Sequence, residues 1–464
     1  MSALTVRQQC RSLLLAGLES IVDLLLDAAA EAQTDLLVVE DAVGRAILQM
    51  RPVLLEHSIE LARLVSDRHY LCPDCREPLS PWGERKRRIV TSQGETNFKS
   101  VRYRCRKCGR DAYPLEEANG LDEGVFTTAA KAKVASEAAD EAFIPASGEL
   151  ARIGLNVSAK QVDRLVAQVS GWHEADELSV LYEAFPNLRP KDHPAAAAPR
   201  LHEYADWPAD SVGVVSVDGA KVRSPEVGPT GLEWFEVRCG MIGRHVNGDT
   251  TPECRMAGHL DADSMFVRLA AYHRTIRSMA RVWAFVADGA PWIWERVPWL
   301  FPDAIAILDI YHAGEHVGVA AAAAFGPDQP TTKLWKAKAR SMLLAQGGVR
   351  SIIKTLVACL REGRCVDRAG VERELRYLWT NRHRMRYAEY EAAGLPVGSG
   401  AMESTIKQVC TQRLRRAGMM WTREGADRML RLRAAHLNGD LKATTMREHR
   451  RLQFKLESYR PIAA

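Results

Sequence analysis

No stretch of this 464-residue chain is both apolar enough and long enough to cross a bilayer. A leader-like run at Ser12–Leu18 follows Arg7 and Arg11, but Glu19, Asp23 and Asp27 interrupt it early and no cleavage site follows. Leu14, Leu18, Ile21, Leu25 and Leu26 recur at helical spacing instead, so an amphipathic helix is expected there. The ten cysteines lack the arrangement of a disulfide framework for a chain of this length, and no internal repeat is evident. These absences argue against a membrane protein and a disulfide-stapled secreted one, and the expected location is the bacterial cytoplasm, beside the nucleoid. What is present is ordinary globular composition, 47% hydrophobic and 26% charged, at a length that calls for two to four domains.

The net charge of +5 is unevenly spread. Residues 401–464 carry 14 Lys+Arg against 6 Asp+Glu, and residues 72–110 carry 11 against 4, so the rest of the chain is acidic by 10 charges. Two basic segments on an acidic background fit a polyanion bound at defined places, or two solvated surfaces.

Residues 1–66 read as a helical N-terminal region. Residues 67–120 contain Cys72-Pro-Asp-Cys75 and Cys105-Arg-Lys-Cys108-Gly109. Two Cys-x-x-Cys turns can place four thiolates around one Zn²⁺, and the 29 residues between them suit a hairpin. Such a closed site is structural. Arg85, Lys86, Arg87, Arg88, Arg104, Arg106 and Lys107 could hold phosphates, although zinc ribbons also bind proteins. Within 121–185, a helix ending near Gly154 and a second starting at Ser158, with Gln161 as capping partner, have helix-turn-helix rhythm. Lys160, Gln161 and Arg164 would then face DNA while Val162, Leu165 and Val166 pack inward, unless the pair is a plain helical hairpin. Prolines 186, 190, 194 and 199 with the Ala195–Ala198 run suggest a linker over 186–205.

From 206 to 435 the pattern is α/β. Val212–Val217, Val282–Ala287 and Ala304–Leu308 are apolar runs expected as buried strands, each followed by an aspartate: Asp218, Asp288 and Asp309. Trp234–Met241 reads as a further strand and 261–280 as a helix. Open α/β sheets gather their chemistry at such strand ends. Glu403, near the start of a helix after Gly398-Ser399-Gly400, can point back to the sheet edge. A carboxylate trio of this kind could hold Mg²⁺ or Mn²⁺ for phosphodiester chemistry. Equally, Asp218 and Asp288 could be turn residues and Glu403 a first-turn helix acid. Lys407, Arg413, Arg415 and Arg416 follow and would suit a DNA backbone or a solvated face, with Trp421 nearby. The basic tail over 436–464 would be a helix on DNA or disordered.

Val-Ser-Val-Asp218-Gly-Ala, Val-Ala-Asp288-Gly-Ala-Pro-Trp-Ile, Asp309-Ile-Tyr-His312 and Gly-Ser-Gly-Ala-Met-Glu403-Ser404 occur in this order, followed by Arg413-Leu-Arg-Arg-Ala-Gly418-Met-Met-Trp421. Together they resemble the DDE transposases of bacterial insertion sequences, specifically the ISKra family, which is similar to the Mutator-like transposases. The resemblance covers nearly the whole chain. It implies an RNase H-like α/β core whose first strand ends at Asp218 and whose fourth, beside it, ends at Asp288. It implies a helical insertion at about 320–390, since 115 residues separate Asp288 from Glu403. Asp218, Asp288 and Glu403 would be the catalytic metal ligands. Asp309 competes with Asp288 for the second place, and His312 could orient DNA or move a proton, or equally be a helix N-terminal histidine with a structural hydrogen bond. The partners implied are double-stranded DNA at element ends and target, and a second copy of the chain, because two ends must be joined. Alternatives of other classes are a structure-specific nuclease of the same fold and a non-catalytic DNA-binding regulator.

Overall fold

The computed structural model describes residues 3–32, 35–65, 69–121, 124–191, 206–228 and 231–460. In chain order the elements are helices α1 (Ala3–Ala32) and α2 (Leu36–Val65), strands β1 (Leu79–Thr91), β2 (Gly94–Cys105) and β3 (Asp111–Ala112), then α3 (Pro114–Ala118), α4 (Thr128–Asp140), α5 (Phe143–Arg152) and α6 (Ala159–Ala184). Strands β4 (Val212–Gly228), β5 (Gly231–Val246) and β6 (Asp249–Gly258) follow, then α7 (Ala262–Ile276), β7 (Val282–Ala287), α8 (Pro291–Trp294), α9 (Val297–Leu300) and β8 (Ala304–Leu308). The remainder is helical: α10 (Ile310–Phe325), α11 (Pro330–Leu344), α12 (Gly348–Arg361), α13 (Arg368–Asn381), α14 (Tyr387–Ala392), α15 (Gly400–Ile406), α16 (Gln412–Leu414), α17 (Arg423–Asn438) and α18 (Leu441–Glu457). No helix among the described residues is long and apolar enough to span a membrane. The chain forms two compact units, residues 1–172 with 441–464, and residues 173–440.

In the first unit β1, β2 and β3 make an antiparallel sheet. The helix pair expected around Gly154 is present. Gly154 takes the left-handed conformation (φ 82°) after α5, and Ser158 and Gln161 cap α6 reciprocally, with amide-to-side-chain distances of 2.9 and 3.3 Å. Val162, Leu165 and Val166 are buried there. The segment after Leu441, expected as a tail, is a helix that packs on α3 and α4 with Leu441, Thr444 and Leu452 inside, and Tyr459 buried beyond it. Its amphipathic spacing was masked by the density of cations. Pro194, Pro199 and the alanine run of the expected linker lie outside the described residues, while Pro186–Leu188 forms a single 3₁₀ turn.

The second unit is built on a five-stranded sheet of order β6-β5-β4-β7-β8. The first three strands are antiparallel, and β7 and β8 run parallel to β4. Alternation assigns the two faces. Gly213, Val215, Val217 and Gly240 point to the side covered by α7, where Leu269 approaches so closely that a Cβ on Gly240 would sit 2.6 Å from it. Phe266 of α7 stacks on Phe285 of β7 with centroids 5.8 Å apart, against Phe301. A buried ion network ties the end of α6 to α7 and α17, with Glu177 receiving Arg268 at 2.9 Å and Arg431 at 3.3 Å. Burial of these charges is tolerable because each is paired.

β7 and β8 have the bounds expected from their apolar runs. β4 does not. It continues ten residues past Asp218 to Gly228, because β5 offers an antiparallel partner for Gly219–Arg223 after the parallel pairing with β7 stops at Val215. Asp218 therefore ends only the parallel part of its strand.

Candidate functional site

The register of the second unit's sheet brings the aspartates side by side. Val215 pairs with Phe285, so Asp218 and Asp288 stand at one level on adjacent strands. Ala287 pairs with Leu308, so Asp309 stands at that level on the next strand. By alternation all three point away from the α7 face. The helical run from Gly400 to Leu414 lies on that same side. It starts at Ser399, whose amide donates to Asp309 Oδ1 at 2.9 Å, and passes through a π-helical turn at Lys407–Thr411. There Cys410 and Asp218 both act, after burial itself, to push up the thiol of Cys239, the register partner of Asp218 on β5. From β8 to β5 is three strand spacings, about 14 Å. From Ser399 to Cys410 is about 16 Å of helix. The helix thus crosses over the strand ends, with α15 packed on β4, β5 and β6. Met402 and Thr405 face the sheet, and Glu403 is exposed between the two anchor points. Among the described residues, no three of these acids and histidines bring ligand atoms within 4.8 Å of one another.

The environments of the three aspartates differ. Asp218 is half-buried, and its carboxyl is raised to about 6, first by burial and then, against the Gly219 amide, by the negative charge of Asp288. Glu236 adds to the rise and His312 opposes it. Asp288 accepts from the Ala290 amide at 2.9 Å, and Trp294 Nε1 donates to its carbonyl at 2.7 Å. Asp309 is buried and committed. Its Oδ2 caps α10 by accepting from the His312 amide at 3.1 Å, while Oδ1 holds Ser399. Asp309 therefore positions the helix carrying Glu403 and orients the turn carrying His312.

Two neighbours carry no signal of their own in the sequence. The Tyr377 hydroxyl, buried and without a hydrogen-bond partner among the described residues, fills the space a Cβ on Gly289 would need, and its ionisation is pushed up by burial and then by Asp288. Glu236 fills the corresponding space at Gly219. The only available clue was the repeated Asp-Gly-Ala: each glycine leaves room for another residue's side chain. Near Tyr377, Glu374 bonds His316 Nδ1 at 2.6 Å, His316 stacks on the tyrosine ring at 3.6 Å, and the His312 ring lies 5.0 Å from that of His316. Arg384 rests over Trp294 at 4.3 Å.

Of the basic residues singled out, Lys407, Arg415 and Arg416 are exposed. Arg413 is not. At 1% exposure, packed 5.2 Å over Trp421, it is a core residue, which corrects its expected place on a DNA-facing surface. Trp421 itself is fixed by its amide on the Arg223 carbonyl and its indole N–H on the Leu414 carbonyl.

In the first unit, Cys72, Cys75, Cys105 and Cys108 bring all four sulfurs within 4.8 Å of one another, with Cys72–Cys108 at 3.6 Å and Cys75–Cys105 at 3.4 Å. Tetrahedral thiolates at about 2.3 Å from one ion stand at about 3.8 Å from each other, so the cluster could bind a metal such as zinc. The two turns are built alike. Arg76 and Gly109, each four residues after the leading cysteine, donate to its carbonyl at 2.8 and 3.0 Å with φ of 59° and 75°. Glycine adopts that conformation freely; Arg76 holds it while its guanidinium bonds the carbonyls of Ser458 and Arg460. The Cys108 amide, and then the Cys75 thiol, lower Cys105 to about 6, which favours the thiolate form. Many cations of this sheet are neutralised internally: Arg85 and Arg87 converge on buried Glu116, Arg88 meets Glu95, and Lys107 meets Glu77. Lys160 and Arg164 at the start of α6 are exposed, whereas Gln161 spends its side-chain oxygen on the cap.

Comparison with known proteins gives a match of residues 263–451, less than half of the chain, to an uncharacterised protein family, UPF0236. A UPF0236 protein of Caldanaerobacter subterraneus subsp. tengcongensis, whose name joins eleven locus designations beginning with TTE0033, is 30% identical over 156 residues, 33% of this chain and 30% of that protein. UPF0236 protein TTE0402 of the same organism is 29% identical over 156 residues, 33% of this chain and 28% of its own length. The chain thus aligns with about a third of the length of these relatives. Among solved structures, the Drosophila P element transposase strand transfer complex aligns with 71% of this chain and 83% of its own at 11% identity, with a TM-score of 0.26, too low to carry a fold assignment.

Proposed function

We propose that this chain is a DDE-type DNA transposase of an insertion sequence, with Asp218, Asp288 and Glu403 as its catalytic acids. The observation that carries the reading is the alignment of Asp218 and Asp288 at one level of adjacent parallel strands, on the face crossed by the helix bearing Glu403. The sheet order, three antiparallel strands followed by two parallel ones beyond the first, supports an RNase H-like core over 206–435, with α11–α14 as its helical insertion. One relative's name joins eleven locus designations for a single protein, the multiplicity expected of a sequence that copies itself within a genome.

Two like charges held near each other, one of them half-buried, call for a cation. A divalent ion such as Mg²⁺ suits these hard oxygen donors; Asp218, Asp288 and Glu403 are the residues that would hold it, and it would supply positive charge for the attacking and leaving oxygens. The chain's own part is positional. Asp309 fixes the start of the Glu403 helix, Gly289 admits Tyr377, and Lys407, Arg415 and Arg416 offer cations to the DNA backbone. The chemistry is two successive phosphoryl transfers. A water oxygen bonds to phosphorus as the bond to O3′ breaks, leaving a 3′-hydroxyl; that hydroxyl then bonds to a target phosphorus as a target P–O bond breaks. The zinc ribbon (67–120) and the helix pair (121–185) would recognise element ends, with two copies of the chain joining two ends.

The test is strand transfer. Labelled DNA from the flanks of the encoding gene, both uncut and pre-cut, is incubated with the full chain, a target plasmid and Mg²⁺ or Mn²⁺. Joining of labelled 3′ ends to the plasmid is expected. Cleavage without joining would leave a nuclease, and metal-independent binding alone would leave a regulator.

A further inference from the structure

One opening of the second unit lies against β8, the edge strand that ends just before Asp309. It is a cleft of about 1070 Å³ floored by Ile305 and Ala306 of β8 and walled by α12, the end of α13 and α14. Its lining holds four permanent cations, Arg350, Lys354, Arg382 and Arg386, against one carboxylate, Glu389. Glu389 is taken by Arg386 at 3.2 Å. Arg350 and Lys354 are exposed, stand one turn apart on α12, and have no ion-pair partner among the described residues. Like charges at that spacing repel, a cost that an anionic ligand removes. His383 in the same lining is held below its ordinary value, first by burial and then by Arg384 and Arg382.

The cleft also presents an aromatic surface. Trp379 is 56% exposed, and the Arg382 guanidinium lies 4.2 Å from its ring centroid. A wall of cations beside an open indole matches a backbone of phosphates carrying unstacked bases. Duplex DNA keeps its bases stacked on one another and has no face to offer Trp379. The cleft also adjoins the acids: Tyr387 in its wall donates to the Leu308 carbonyl at 2.9 Å, and Leu308 precedes Asp309. A strand lying on Ala306 would be about 10 Å along β8 from Asp309.

We infer that this cleft is a binding groove for single-stranded DNA, with Arg350 and Lys354 on the phosphates and Trp379 stacking a base. The inference rests on the preceding reading only in taking DNA as the substrate.

The test uses the full chain without added divalent ions and measures fluorescence anisotropy of a labelled thymidine oligonucleotide and of a mixed-sequence duplex over a range of salt. Arg350→Glu with Lys354→Glu is expected to weaken single-strand binding about tenfold or more and to flatten its log–log salt dependence by about 1.4, the value for two phosphate contacts. Trp379→Ala is expected to cost about tenfold, with Trp379→Phe restoring most of it. Duplex affinity stays within about twofold in each variant. These side chains are exposed, and unchanged melting temperatures confirm folding. Single-strand affinity and salt slope equal to the wild type in both variants overturn the groove. Equal losses for single strand and duplex overturn its occupant. Strand transfer by the wild type is scored separately, so a groove that binds in a protein that never joins DNA would sink the transposase reading and leave the groove standing.

Discussion

The Tyr377 hydroxyl stands against Gly289, in the space a side chain there would take, and finds no hydrogen-bond partner among the described residues. A buried, unpartnered donor next to Asp288 is a stability cost that a substrate or a reoriented carboxylate can recover. Tyr377→Phe is therefore expected to leave the melting temperature unchanged or slightly raised while slowing strand cleavage about tenfold or more. Gly289→Ala should slow cleavage as well, by displacing the tyrosine, and should also destabilise. A Tyr377→Phe protein with wild-type cleavage would mean the hydroxyl is idle.

Asp309 and Asp218 respond oppositely to loss of their carboxylates. Asp309→Ala removes both a helix cap and the anchor of Ser399, and should cost about 2–4 kcal/mol in denaturant unfolding. Asp309→Asn keeps an acceptor and should cost less. Asp218→Asn relieves repulsion by Asp288 and should leave the metal-free protein at neutral pH as stable as the wild type or more so. Equal destabilisation by Asp309→Ala and Asp218→Asn would refute the division of roles drawn between them.

Much of this arrangement was legible in the sequence, and the reasons are local. Val282–Ala287 and Ala304–Leu308 are apolar on both faces, so their bounds followed from composition. β6 was not legible, because Pro252, Glu253 and Arg255 break any apolar pattern on an edge strand whose pairing with β5 shifts at Glu253. The reach of β4 beyond Asp218 depends on its pairing with β5, a partner no local window contains. Arg413 sat in a run of cations that reads as solvated, and its burial against Trp421 is a tertiary matter that the run does not show. Tyr377 is 89 residues from Asp288, on a helix whose own pattern says nothing about the acids.

His273 gives the second unit an acid sensitivity. It is buried edge-on to Trp283 at 4.4 Å, and its pKa falls to about 4, chiefly through burial and then through Arg277. A depressed histidine binds its proton more weakly folded than unfolded, so its contribution is fully present above pH 6.5 and is lost as pH falls from 6.5 toward 4. His273→Phe should remove about 2 kcal/mol of this loss, read as the difference between the two proteins' unfolding free energies at pH 5 and pH 7.5. Parallel pH profiles would contradict the assignment.

The four cysteines make a separate, metal-linked prediction for the first unit. Purified without chelator, the protein should carry one zinc per chain by elemental analysis. Cys105→Ser should abolish that metal and destabilise its unit by about 3 kcal/mol or more. A metal-free wild type that melts like Cys105→Ser would show the cluster to be merely packed thiols.

The measurement that bears most directly on the central claim is Mg²⁺-dependent cleavage of element-end DNA by Asp218→Asn, Asp288→Asn, Glu403→Gln and the triple variant, each verified to be folded and to bind the same DNA. If the three acids work as one unit, each single change lowers the rate about a thousandfold or more and the triple variant is scarcely worse than any one of them. Glu403→Gln cleaving at the wild-type rate would break the trio and with it the proposed chemistry.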